Sequence, residues 1–147
     1  MKKYLFLLIA CLTFVVSASA QNAGDKILGV YKAVQEGNVS KVRFSKNGNG
    51  YKAQIIWLEK DKNPDGTKRT DIKNSNAAKR NTPADQIVLI EKVTYDKEKD
   101  VWKGGKVYDP TKGKSFNVEV KFKDAKTLAV KGSLAIFSQT VYWTKLE

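Results

Sequence analysis

Trp102-Lys-Gly-Gly-Lys-Val-Tyr-Asp-Pro-Thr-Lys-Gly-Lys-Ser-Phe116 decides the fold class of this chain. The segment reads as a β-hairpin. A strand bearing aromatic residues runs from Trp102 to Tyr108, and Asp109-Pro110 with Gly113 supply turn chemistry. The return strand alternates with period two. Phe116, Val118, Val120 and Phe122 fall on one face, and Asn117, Glu119 and Lys121 on the other. An antiparallel sheet with one dry face and one wet face follows.

The same alternation recurs along the chain. Strands are expected over residues 27–34, 39–46, 51–58, 87–95, 101–108, 115–122, 127–131 and 139–145, separated by signals such as Glu36-Gly-Asn38 and Asn47-Gly-Asn-Gly50. About eight short strands joined mostly by hairpin-length turns fit an all-β, antiparallel up-and-down meander. Closing it into a single barrel removes both edges and leaves room for side chains or one small ligand. A two-sheet sandwich is the alternative. The exception to the short turns is residues 59–85, a polar loop of the length used for lids and binding loops. It carries Asp71, Asn74 and Arg80, and a helical turn is expected near 76–80 with Ser75 or Asn74 as its cap.

Residues 1–20 read as an export signal. Lys2 and Lys3 form the charged region, residues 4–16 the apolar core, and Ala18-Ser-Ala20 a cleavage site. Cleavage after Ala20 would leave residues 21–147 as one domain in the periplasm or outside the cell, with no transmembrane segment. Leu8-Ile-Ala-Cys11 also resembles a lipoprotein processing site, but the apolar run continues through Leu12 to Val16, which argues against lipidation at Cys11.

Composition excludes several chemistries. The chain has no histidine, its one cysteine is Cys11, and its one methionine is Met1. Zinc or copper sites built on imidazole or sulfur are excluded, as are Ser-His and Cys-His nucleophiles. No cofactor is expected. There are 27 basic and 15 acidic residues, a net charge of +12, and only Arg43, Arg69 and Arg80 are arginine. Scattered lysine suits a solvated surface with guarded sheet edges, or attraction to anionic envelope components. The export signal and the lack of a basic helix argue against nucleic acid.

Asp61-x-Asn63-x-Asp65-Gly66 opens like a calcium loop. Ile72 stands where a bidentate glutamate belongs, however, and Lys62, Lys68 and Arg69 oppose a cation. A turn accounts for the same residue types, so no metal is expected. Among carboxylates available for acid–base chemistry, Asp65 and Asp109 sit in turns and Glu119 faces outward on its strand. Glu91 shares a face with Leu89 and Val93 unless a bulge turns it out. Trp57, Trp102 and Trp143 are candidate ligand contacts or core filler. Gly104-Gly105 admits either a ring or backbone lying against the strand, or a bulge.

These motifs resemble domain-of-unknown-function family 2147, small secreted proteins of Gram-negative bacteria. The resemblance runs over about residues 29–145. It rests on Ile56-Trp57-Leu58, Asp65-Gly66, Asp71 with Asn74, Arg80, Trp102-x-Gly-Gly-x-Val-Tyr-Asp-Pro110 with Gly113-Lys114, Leu128 with Gly132, and Thr140 with Trp143. It implies a lipocalin-like (calycin) barrel and no established activity. Three positions depart from the family pattern. Gly29-Val-Tyr31 stands for Gly-x-Trp, Lys131-Gly132 for Arg-Gly, and Ser138-Gln139-Thr140 for Gly-Arg-Thr. Lysine offers a point charge where arginine offers a fork, so an acidic ligand would be gripped differently here. With Arg80 retained, a polar network of Asp71, Asn74 and Arg80 is expected at the barrel mouth, where it either meets a ligand or pins the long loop.

The expected ligand contacts are therefore Trp57, Asp71, Asn74, Arg80, Trp102, Tyr108, Asp109 and Trp143. The expected occupant is a small apolar or amphipathic envelope molecule. The alternatives are a protein partner, such as an envelope enzyme to be inhibited, and a carboxylate-dependent hydrolase.

Overall fold

The computed structural model describes residues 22–147, and the expected export signal with its Cys11 alternative lies outside them. Eight antiparallel strands close into one up-and-down barrel: β1 (Gly29–Gln35), β2 (Asn38–Asn47), β3 (Gly50–Leu58), β4 (Val88–Asp96), β5 (Val101–Asp109), β6 (Lys114–Asp124), β7 (Thr127–Leu134) and β8 (Phe137–Lys145). Each strand pairs with its neighbour in sequence, and β8 returns to β1 through Tyr31↔Lys145 and Lys32↔Thr144. Closure satisfies the backbone groups that an open meander would leave bare at its two edges.

Several strand boundaries differ from the sequence pattern. Ile27, expected in the first strand, belongs to a 3-10 helix, η1 (Ala23–Ile27). The Asn22 side chain accepts from the Gly24 N–H at 3.0 Å, and the Ile27 carbonyl accepts from the Tyr31 hydroxyl at 2.8 Å. This turn carries the wholly buried Ile27 across one end of the barrel. At the other end, β7 and β8 run three and two residues further into their turn than the expected ranges. That turn centres on Ala135 at φ 54°, with no glycine, proline or asparagine to announce it.

The ends of the barrel are filled differently. At the end closed by η1, Tyr31, Phe44, Tyr51, Val93, Trp102, Val120 and Leu128 are fully buried. Their rings pack as a cluster, Tyr31 on Phe44 at 5.7 Å, Phe44 on Trp143 at 6.0 Å and Trp102 on Phe122 at 5.8 Å between centroids. The Tyr51 hydroxyl donates to Asp25 at 2.6 Å, which ties the plug to β3. That bond, followed by Lys46, holds the Asp25 carboxyl below its ordinary pKa.

Bulges set which side chains face inward. In β3, Lys41 pairs with Trp57 and Val42 with Ile55, which leaves Ile56 as an extra residue. The alternation flips there. Alternation alone puts Tyr51, Ala53, Ile55 and Trp57 on one face; the first three do point in, but Leu58 continues the inner face and Trp57 does not. In β4, Val93 pairs with Tyr51 and Ile90 with Ala53, so one extra residue turns Glu91 outward. In β5 the extra residue falls between Trp102 and Gly105, with Gly104 at φ 86°. Both readings of Gly104-Gly105 hold in part. There is a bulge, and a backbone does lie against it: a Cβ on Gly105 would stand 1.9 Å from the Lys92 carbonyl oxygen. Gly105→Ala is therefore expected to cost about 2–3 kcal/mol in chemical denaturation, since neither backbone can yield without breaking the β4–β5 ladder. An unchanged denaturation midpoint would contradict that contact.

Candidate ligand-binding cavity

The barrel end opposite η1 carries the β1–β2, β5–β6 and β7–β8 turns and the long loop between β3 and β4. Here the interior is hollow and continues through the mouth between the loops as one cavity of about 1020 Å³. Its walls are apolar: Ala33, Ile55, Ile87, Leu89, Val107, Phe116, Val130 and Trp143 all line it. Val141 also faces inward yet is 39% exposed, because the space beside it is unfilled. Trp143 packs on Phe44 and so forms part of the boundary between the hollow and the filled halves. The volume suits one small molecule of lipid or cofactor size.

The loop over residues 59–87 is ordered by its own hydrogen bonds. Asp65 caps a tight turn, accepting from the Thr67 N–H at 3.0 Å and its hydroxyl at 2.6 Å, and a Lys62↔Lys68 bridge closes it. The residues that resemble a calcium loop therefore serve turn geometry. Further on, Thr70↔Pro83 forms a second bridge, and η2 (Ala77–Lys79) and η3 (Ala84–Gln86) follow. The cap of η2 is Asn76, accepting from Ala78 at 3.1 Å, rather than Asn74 or Ser75. Asn74 is engaged elsewhere.

Asp71, Asn74 and Arg80 do form one network at the mouth, and Tyr108 completes it. The Tyr108 hydroxyl donates to Asp71 Oδ1 at 2.6 Å, Asn74 Nδ2 donates to Asp71 Oδ2 at 2.8 Å, and Arg80 Nε donates to the Asn74 carbonyl at 2.8 Å. Asp71 is only 4% exposed. Burial, and then the bond to Asp71, push the Tyr108 hydroxyl's pKa well up, so it remains a donor. Lys73 Nζ reaches the Thr111 carbonyl at 2.7 Å. The backbones touch as well: Gly113, at φ 64°, places its Cα where a Cβ would lie 2.1 Å from the Lys73 carbonyl. The network thus fastens the long loop to the β5–β6 turn. Tyr108→Phe leaves one buried Asp71 oxygen without its donor and should cost about 1–3 kcal/mol. A loss below about 0.5 kcal/mol in urea denaturation would show that water replaces the hydroxyl freely.

The eight expected contacts separate into three groups. Tyr108, Asp109 and Trp143 line the cavity. Asp109 Oδ1 accepts from Gln35 Nε2 at 3.0 Å and from the Thr111 hydroxyl at 2.7 Å, which holds the rim between β1 and β5. Asp71, Asn74 and Arg80 stand behind Tyr108 and brace the loop. Trp57 and Trp102 lie away from the cavity. The Ile56 bulge puts Trp57 on the outer surface, 43% exposed beneath Lys41 Nζ at 5.3 Å from the ring centroid. Trp102 is wholly buried at the closed end, its Nε1 donating to the Gly24 carbonyl at 3.2 Å.

The abundance of lysine led to the expectation of a lysine-rich rim for an acidic head group, but sequence reading assigned no residue to it. Lys60, Arg69, Lys73 and Lys112 line it, against the two acidic residues Glu36 and Asp109. Among the described residues none of the four forms a salt bridge. Arg69 Nη1 donates to the Lys60 carbonyl at 3.0 Å, and Lys112 Nζ lies 5.8 Å from the Phe116 ring. Gln139, standing where the family pattern has arginine, also lines the cavity.

Comparison with known proteins places this geometry. A solved structure described as "Protein HP1028 from the human pathogen Helicobacter pylori belongs to the lipocalin family" is similar, at 25% identity and a TM-score of 0.66, over 82% of this chain and 83% of that one. No curated protein matches the sequence. The family described as "Uncharacterized protein conserved in bacteria (DUF2147)" matches residues 29–145, nearly all of the barrel. With the Trp102-to-Pro110 string seated in β5 and its turn, and the barrel closed as in a lipocalin, the chain belongs to the DUF2147 family.

Proposed function

We propose that this protein is a secreted or periplasmic binding protein that holds one amphipathic molecule, its apolar part in the cavity and an acidic head group at the mouth. The observation that carries this reading is a cavity of about 1020 Å³ that runs from apolar walls inside the barrel to a mouth bearing Lys60, Arg69, Lys73 and Lys112. Apolar walls reward burial at about 25 cal/mol per Å² without demanding a particular shape. The cations then select the head group and orient it toward solvent. Gln139 supplies a neutral hydrogen-bonding group deeper on the wall, so the charge selecting an acidic head belongs to the rim. The lipocalin-like barrel supports small-molecule binding in general terms.

The carboxylates give less support to a hydrolase. Asp65 and Asp71 are engaged in the turn and network above, and Glu91 and Glu119 are exposed on the outer face. Titration with a fluorescent long-chain carboxylate and its uncharged alcohol tests the proposal. Saturable one-to-one binding is expected, tighter for the acid by about tenfold, or 1.4 kcal/mol. Absence of saturable binding to either probe would overturn it.

A further inference from the structure

The apolar surface of this barrel is distributed unevenly between its two ends. The turns at the closed end, Gly48-Asn49, residues 97–100 and Ala125-Lys126, carry no large apolar side chain. At the open end, Val34 is 56% exposed, Ile72 69%, Leu134 54%, Ile136 92% and Phe137 75%. Single exposed apolar residues are ordinary. Five of them around one rim, with Ile136 and Phe137 together in the β7–β8 turn, form a patch that water disfavours. β8 pairs with β1, so Val34 and the β7–β8 turn belong to neighbouring strands on one side of the opening.

Lys60, Arg69, Lys73 and Lys112 share this rim. Their placement argues against a second copy of the chain as the covering partner, because two mouths face to face would oppose their cations across the contact. An anionic lipid surface fits both features. Its head groups attract the lysines, and its acyl boundary accepts Ile136 and Phe137.

We propose that the protein docks mouth-down on an anionic lipid bilayer. The β7–β8 turn inserts at the boundary between head groups and acyl chains, and the four cations rest against lipid phosphates. The cavity then opens directly onto the bilayer, and an apolar molecule passes between them without crossing water. The four cations and Phe137 also line the cavity, so docking rests in part on the binding reading, whereas insertion of the β7–β8 turn through Ile136 does not.

Flotation with vesicles of phosphatidylcholine alone, and of phosphatidylcholine with phosphatidylglycerol, tests this with residues 21–147. The protein is expected to float with the anionic vesicles at least tenfold more strongly than with the neutral ones. Ile136→Asp with Phe137→Asp should reduce that binding at least tenfold while leaving the melting temperature nearly unchanged, since both side chains stand in solvent. Lys60→Glu with Lys112→Glu should remove the preference for anionic vesicles. Charge alone would be expected to fade in high salt, so binding that tolerates the Ile136 and Phe137 changes and vanishes with salt would overturn insertion. Failure to float with anionic vesicles, or formation of a dimer that the same two aspartates dissolve, would overturn docking itself.

Discussion

Trp102→Ala is expected to destabilise the barrel by about 3–5 kcal/mol without touching ligand affinity. The indole is wholly buried against Tyr95 and Phe122, with centroids 4.9 and 5.8 Å away. Truncation leaves a void that β5 and β6 cannot collapse into, because Trp102↔Val120 fixes their register there. It also removes the donor to the Gly24 carbonyl, loosening η1 over the end of the barrel. For a domain of this size the melting temperature should fall by about 10–20 °C. Measured well below that melting point, binding of an amphipathic probe should match the parent protein, since the cavity lies at the opposite end. A variant that melts normally but has lost binding would place the ligand against Trp102 and contradict the division into a filled and a hollow half.

Ala33→Trp combined with Leu89→Trp should give the converse result. Both positions line the cavity, from β1 and β4, and both new rings would project into open volume. Filling the upper barrel removes the space for an acyl chain. Affinity for the fluorescent carboxylate should fall at least about tenfold, equivalent to 1.4 kcal/mol. Both positions are nearly buried against the barrel wall and open only on the cavity side, so some repacking is required and the melting temperature should fall by no more than about 10 °C. Unchanged affinity would mean that the probe binds on the outer surface. Together the two variants separate stability from binding, with opposite effects on the two readouts.

Much of this architecture was legible in the sequence because a strand has period two. Phe116, Val118, Val120 and Phe122 point inward along β6 as their alternation indicates, and the succession of turn signals yields the strand count. Alternation fails where one residue is inserted, since every later side chain then changes face. At Gly104-Gly105 the glycines flag the insertion. At Ile56 nothing does, and so Trp57 read as an interior residue. For Trp102 the sequence leaves ligand contact and core filler open, because which end of a barrel is filled depends on non-local packing with η1 and β6. The Asp71, Asn74 and Arg80 network could be expected from one loop and the family pattern, whereas Tyr108 joins it only through the fold. The mouth cations are the hardest case. Lys60, Arg69, Lys73 and Lys112 come from a loop and a distant turn, and no local pattern distinguishes them from the other surface lysines.

The central claim is a hollow upper barrel that takes one amphipathic anion, and native mass spectrometry tests it most directly. Protein purified gently from its native bacterium, or bare residues 21–147 incubated with bacterial lipid extract, would be measured before and after denaturation. A discrete added mass at one-to-one stoichiometry is expected, lost on denaturation and absent from Ala33→Trp/Leu89→Trp. A polypeptide mass that stays bare under both conditions would contradict it.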